Sequence, residues 1–185
     1  MTTTKLALLD RDGVINVDNP KSIVSRGDFM LFPGVARAIK KLNDASIPVA
    51  IVTNQAVVGR GELSPEGLAD IHDYLREMLK EEAGAFIDRI YCCTSIDPHH
   101  SHRKPNPGLL LDACRDFQVL PQTAVLIGDA LRDLEAAAAI NCPRILVRTG
   151  KGKITLERGW SENVSPVTIV DDLYEAVVHL LREKV

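Results

Sequence analysis

No apolar run in the chain approaches the roughly 18 residues of a membrane-spanning helix. The stretch before the first acidic motif, Met1 to Leu9, is too short for a secretory signal. No basic block stands out either: 22 Lys and Arg are set against 25 Asp and Glu, for a net charge of −3. A protein that grips nucleic-acid phosphates normally carries a basic face, so neither nucleic acid nor membrane is an expected partner. The four cysteines, Cys92, Cys93, Cys114 and Cys142, show no disulfide-framework spacing. That pattern suits a reducing compartment, and the cytoplasm is the expected location. Repeats, low-complexity segments and linkers are also missing. What remains is ordinary globular material: 185 residues, 45% hydrophobic and 25% charged. This is enough for one domain spanning residues 1–185, expected to act as a monomer.

Short apolar runs alternate with amphipathic stretches. Strands are expected at Lys5–Leu9, Pro48–Val52, Ile90–Cys93, Ala124–Ile127, Ile145–Val147 and Val167–Val170. Between them, Val35, Ile39 and Leu42 fall at helical spacing, as do Leu68, Ile71, Leu75 and Leu79 behind the Ser64-Pro65 start signal. Further helices are expected over Leu109–Phe117, Leu131–Ile140 and Leu173–Leu181. Strands alternating with helices imply an α/β fold: a three-layer, Rossmann-like parallel sheet with helices on both faces. Ligands of such sheets bind beyond the carboxyl ends of the strands. Three of those ends carry Asp10, Thr53-Asn54 and Asp129, which should face one crevice.

Asp10-Arg11-Asp12-Gly13 closes the first strand. Residues two apart on an extended chain point the same way, and two carboxylates that close call for a cation. Alone, the tetrapeptide fits a solvated Asp-Gly turn equally well, and Asp129 fits a helix N-cap. Together, Asp10, Asp12 and Asp129 could supply oxygen ligands to Mg²⁺. Thr53-Asn54 adds a hydroxyl and an amide suited to phosphate oxygens. Arg103-Lys104-Pro105 brings cations just ahead of a helix start. Acid pair, hydroxyl, lysine and acid, on successive strand ends, describe a metal-dependent phosphoryl-transfer site.

These residues carry a resemblance. Asp10-Arg11-Asp12-Gly13-Val14, Thr53-Asn54-Gln55, Lys104-Pro105, and Gly128-Asp129 followed by Asp133 resemble the four motifs of the haloacid dehalogenase-like phosphatases, over roughly Leu6 to Leu181. Within that superfamily, DRDGVINVD (Asp10–Asp18), TNQAVVGRG (Thr53–Gly61), RKPNPG (Arg103–Gly108) and LVRTG (Leu146–Gly150) look most like the heptose bisphosphate phosphatase branch. The histidinol-phosphatase branch is the runner-up. The resemblance implies an aspartyl-phosphate mechanism on a small sugar phosphate, expected to be heptose 1,7-bisphosphate cleaved at C7. Asp10 would be the nucleophile and Asp12 the general acid and base. Asp10, the Asp12 backbone carbonyl and Asp129 would hold Mg²⁺. Thr53, Asn54 and Lys104 would bind the transferring phosphoryl group, and Arg103 would hold the substrate. Asn16, Asp18 and Arg60 would lie around the sugar or its second phosphate.

The spacing between Asp12 and Thr53, and between Asn54 and Lys104, leaves no room for a cap domain. A phosphomutase, which needs a cap to keep out water, therefore fits less well. A receiver-like phospho-acceptor module is the reading from another class. It would want its acceptor after a middle strand, where this chain has Cys92-Cys93-Thr94. The chain also departs from the family. Ala56 stands where the family has serine. The family's zinc loop, Cys-x-His then Cys-x-Cys, becomes Cys93-Thr94-Ser95 and His100-Ser101-His102. Zinc on Cys93, His100 and His102 is possible by residue type, but a loop that works without the metal is the expectation. Thr149–Lys153 lacks phosphate-loop spacing and reads as a mobile glycine loop near the site mouth. His72 and His179, on expected helices, read as surface residues.

Overall fold

A computed structural model describes residues 4–19 and 22–182; Met1 to Thr3, and the end of the expected 1–185 domain, lie outside the described residues. The elements in chain order are β1 (Leu6–Leu9), α1 (Val35–Asp44), β2 (Val49–Asn54), α2 (Ala56–Gly59), α3 (Pro65–Ala83), β3 (Arg89–Cys93) and α4 (Gly108–Asp116). They continue as β4 (Ala124–Gly128), α5 (Leu131–Ala138), β5 (Arg144–Val147), α6 (Gly152–Arg158), β6 (Thr168–Val170) and α7 (Leu173–Arg182). All six expected strands and five expected helices form. The short helices α2 and α6 were not anticipated, because neither carries a full apolar stripe.

The strands make one parallel sheet in the order β3-β2-β1-β4-β5-β6. β1 lies near the centre and every residue in it is buried. Its alternation explains the two-sided core: Ala7 and Leu9 pack into the cluster that includes α1, α3 and α7 residues, Leu6 and Leu8 into the one that includes α4 and α5 residues. Helices thus cover both faces, as expected. α3 starts where the sequence signals it. The Ser64 hydroxyl accepts a hydrogen bond from the Gly67 N–H at 3.0 Å, and Pro65 occupies the first turn.

Chain order reverses between β1 and β4, so their carboxyl ends form the topological switch point where open α/β sheets bind ligands. Among the described residues, α1 is the longest element between Asp12 and Thr53, and α2, α3 and β3 fill the segment from Asn54 to Lys104. The described residues therefore carry no cap domain. No described helix is long and apolar enough to cross a membrane.

Candidate active site

Asp10 follows β1 directly, and its N–H donates to the Ile127 carbonyl of β4 at 3.0 Å. That bond places its carboxylate between the two strand ends. There it meets Asp129 and Asp133, with one carboxylate oxygen from each of the three lying within 4.8 Å of the others. All three are buried. Lys104 is driven into the same spot. Its Nζ lies 3.0 Å from Asp10 Oδ1 and 2.6 Å from Asp133 Oδ1, and donates to the Val52 carbonyl at 2.7 Å.

The protein approaches this cluster with almost nothing to spare. Gly13 sits at φ +91°, and a Cβ there would come within 2.0 Å of Asp129 Oδ2; one at Gly150 would come within 2.2 Å of the same atom. The Thr149–Lys153 segment is docked rather than merely near the mouth. Thr149 Oγ1 donates to the Gly13 carbonyl at 2.7 Å, and the Lys151 N–H donates to Asp129 Oδ2 at 2.7 Å.

The electrostatics follow from burial. Desolvation, with Asp133 close by, pushes the Asp10 pKa up against the opposing pull of Lys104. Asp129 is pushed up to about 7 by burial and by the charges of Asp10 and Asp133. Burial would lower the Lys104 pKa, but Asp10 and Asp133 outweigh it and keep the ammonium charged. Three buried carboxylate oxygens, Asp10 Oδ2, Asp129 Oδ1 and Asp133 Oδ1, have no hydrogen-bond partner among the described residues, though the last ion-pairs with Lys104. Buried orphan acceptors beside a crowded set of carboxylates fit a divalent cation with oxygen ligands. Asp133 is tied elsewhere: besides Lys104, it accepts the Ala130 N–H at 3.0 Å and so caps α5. That cap role is Asp133's and not Asp129's.

Asp12, two residues on, lies in different surroundings. Its carboxylate stays out of the acid cluster and accepts from Arg11 Nη2 at 3.0 Å, Asn16 Nδ2 at 2.9 Å and Gln55 Nε2 at 3.0 Å. Burial pushes its pKa up, but the Arg11 charge and the hydrogen bonds from Asn16 and Gln55 hold it below the usual carboxylate range. Arg11 is itself buried. It donates to Gln55 Oε1 at 3.0 Å, stacks 5.9 Å from the Phe29 ring centre and lies 3.3 Å from His72 Nε2. Burial, Arg11 and Arg76 lower the His72 pKa to about 4, so its neutral ring accepts from Arg11.

Several expectations are corrected. His72 is 7% exposed rather than a surface residue. Asn16 is fully buried and braces Asp12 instead of lining the cavity. The Asn54 amide clamps the Lys104 backbone, donating to its carbonyl at 2.9 Å and accepting from its N–H at 3.1 Å. It thereby aims Lys104, and Asn54 also lines the cavity beside it. Thr53 is buried, and its hydroxyl accepts from Gln55 Nε2 at 2.9 Å. Asp18, Arg60 and Arg103 do line the cavity of about 250 Å³ above Asp12. Asp18 pairs with Lys151 at 2.8 Å, Arg60 pairs with Glu62, and Arg103 donates to the Ser95 carbonyl at 2.8 Å. Arg11, Arg132 and Gln55 went unread in the sequence. Only the His72 signal was available: it falls four residues after Leu68, on the apolar face of α3.

In the Cys93–His102 loop, Cys93 Sγ lies 3.6 Å from His100 Nδ1. The His102 ring is engaged by Asp112 at 2.9 Å and by Ser101 at 3.0 Å. Among the described residues, only Asp10, Asp129 and Asp133 bring three ligand atoms within 4.8 Å of one another, while Cys93 and His100 meet as a pair with the His102 ring centroid 5.5 Å from that of His100.

Comparison with known proteins agrees with this geometry. A HAD-hydrolase-like family model matches residues 101–176. The D-glycero-beta-D-manno-heptose-1,7-bisphosphate 7-phosphatase of Pseudomonas putida is 38% identical, over 91% of this chain and 95% of the relative. The enzyme of that name from Bordetella bronchiseptica is 36% identical, over 97% and 99%. The crystal structure of the B. bronchiseptica D,D-heptose 1,7-bisphosphate phosphatase, complexed with magnesium and phosphate, superposes with a TM-score of 0.91 over 97% of this chain and 99% of that one. Its Burkholderia thailandensis counterpart is 31% identical with a TM-score of 0.75, over 96% and 99%.

Proposed function

This chain belongs to the haloacid dehalogenase-like phosphatases, magnesium-dependent phosphoric monoester hydrolases, and from that premise we propose that it removes the C7 phosphate of D-glycero-D-manno-heptose 1,7-bisphosphate. The observation that carries the reading is the buried Asp10 Oδ2, without a hydrogen-bond partner, beside the Lys104 ammonium and Asp129 at the switch point. The relatives named above for this reaction support the choice of sugar over histidinol phosphate.

Asp10 and Asp129, with the Asp12 backbone carbonyl, would hold Mg²⁺. When bound, the ion supplies positive charge that offsets the carboxylates and the phosphate oxygens. Lys104 ion-pairs with Asp10 and Asp133 and donates to the Val52 carbonyl, so it acts on the phosphate through its charge and by fixing Asp10. A carboxylate oxygen of Asp10 attacks phosphorus, forming an acyl phosphate while the bond to the sugar oxygen breaks. Asp12 gives that oxygen a proton. It rests as a carboxylate, so that proton is first taken up from solvent, as the arriving phosphate dianion raises its proton affinity by like-charge repulsion. It then takes a proton from water, whose oxygen attacks phosphorus, releasing inorganic phosphate and restoring Asp10. The Thr53 hydroxyl and Arg103 would hold the phosphoryl group and the sugar, with Asp18 and Arg60 at the rim.

The groups of the site stand at the carboxyl edge of one six-stranded sheet, which supports a single domain over residues 1–185, and we propose that it works as a monomer. All four cysteines are free thiols, which supports a cytoplasmic location. A phosphate-release panel over heptose 1,7-bisphosphate, histidinol phosphate and common sugar phosphates tests the reading. The highest kcat/KM is expected on the heptose bisphosphate; a higher value for histidinol phosphate would overturn the substrate.

A further inference from the structure

Six cations line the cavity above Asp12: Arg11, Arg60, Arg103, Lys104, Arg132 and Lys151. Four are already committed to carboxylates. Arg11 holds Asp12, Lys104 holds Asp10 and Asp133, Arg60 holds Glu62, and Lys151 holds Asp18. Arg103 spends one donor on the Ser95 carbonyl. Arg132 differs from all of them. It has no hydrogen-bond partner among the described residues, and its Nε is buried.

Its position sharpens the contrast. Arg132 is the second residue of α5, where the positive end of the helix disfavours a cation. Asp133, Asp10, Asp129 and Asp18 lie in its field and offset that repulsion, yet none takes a hydrogen bond from it. A guanidinium offers five donors in a planar fork that matches a phosphate. Arg132 also borders a second cavity of about 420 Å³ between α5 and α6, where Lys151 and Arg158 are the other charged residues. The reacting phosphate is assigned to Asp10, Thr53 and Lys104, which leaves the Arg132 donors for a second anion.

We propose that Arg132 binds the second, non-reacting phosphate of a bisphosphate substrate and thereby sets the preference for bisphosphates over monophosphates. The inference rests on the phosphatase reading above and adds the residue that senses the remote phosphate. If Arg132 only balanced the charge of the acid cluster, its loss would slow every substrate alike.

Arg132→Gln, assayed on heptose 1,7-bisphosphate and on heptose 7-phosphate, separates the two. KM for the bisphosphate should rise about 30- to 100-fold, the size expected when one partner of a charged hydrogen-bonded pair is removed. Its kcat should change less than about threefold, as should KM for the 7-phosphate. Equal losses on both substrates would overturn the proposal. Calorimetric titration with heptose 1-phosphate, which keeps only the remote phosphate, should show weakening by a similar factor, and unchanged affinity would overturn it. Arg132→Lys, which keeps the charge without the fork, should recover part of the bisphosphate KM; an unchanged bisphosphate KM in Arg132→Gln would overturn the proposal. A wild-type protein indifferent to the second phosphate defeats this inference alone. One that hydrolyses no phosphomonoester defeats the phosphatase reading with it.

Discussion

Asp10 and Asp12 leave the same strand two residues apart, yet they sit in opposite electrostatic surroundings. On the β4 side, Asp10 joins Asp129 and Asp133 around one lysine, and burial with like charge raises its pKa. On the β2 side, Asp12 faces a buried guanidinium and two amide donors, and its pKa is lowered. The first arrangement is short of positive charge and suits a cation and an incoming phosphate. The second is saturated with donors and suits a group that must be aimed and must exchange a proton. Pushing the pKa values of neighbouring carboxyls apart is how one site divides labour between them.

Breaking the β4 side at its nucleophile should have the largest effect. Asp10→Asn is nearly isosteric and should reduce kcat by about 10⁴-fold or more. Because it also removes one of three crowded carboxylates, the variant should melt no lower than wild type in magnesium-free buffer. Retained turnover in a cleanly purified variant would refute the nucleophile assignment. Removing the buried lysine there should cost stability instead. Lys104→Met leaves Asp10 and Asp133 buried without their partner, and urea titration should show a loss of about 3–5 kcal/mol. A near-neutral result would mean that the carboxylates are protonated in the resting fold.

The β2 side can be probed by pH. His72 has a pKa near 4 in the fold against about 6.5 in an unfolded chain. Between those values the unfolded chain binds a proton that the fold excludes, so stability falls as pH drops from about 6.5 to about 4 and this contribution then levels off. The full swing is at most about 3 kcal/mol. His72→Gln should flatten that part of the stability profile; an unaltered slope would assign it to other groups. The smallest effect asks whether the contrast ends at the site's edge. His102 and Asp112 form a partly exposed pair, so His102→Ala should cost less than about 1 kcal/mol. A collapse in melting temperature, together with zinc found by elemental analysis of wild type, would give the loop a metal after all.

The same division explains what was legible in the sequence. Asp10, Lys104 and Asp129 announce themselves because charged residues at the ends of apolar strands have few other reasons to be there. The strands were readable to within a residue or two for the same reason. The β2 side was harder. Arg11 sits in an acidic motif whose neighbours draw the eye, and nothing local says that a guanidinium will be buried beneath Phe29 and beside α3. Asn54 reads as a phosphate ligand because amides suit phosphate oxygens, and Asn16 reads as a substrate residue through the family resemblance alone. Which backbone or carboxylate they brace depends on contacts between segments that no spacing rule supplies. The helix α6 has too few apolar residues to show a stripe, and its Thr155 is held instead by the Asp129 carbonyl at 2.9 Å.

The central place of β1 also bears on how the protein comes into being. Its two neighbours are β2, soon to follow, and β4, which arrives only after α3, β3 and α4 have been made. While the ribosome is still short of β4, one edge of the most apolar strand is open and Lys104 has no Asp133 to meet. Pairings between distant segments are slow to form, and unpaired strand edges invite association with other chains. The nascent chain should therefore be most dependent on chaperones in the interval between the emergence of Lys104 and that of Asp133, and premature stop products ending there should aggregate more readily than the complete chain.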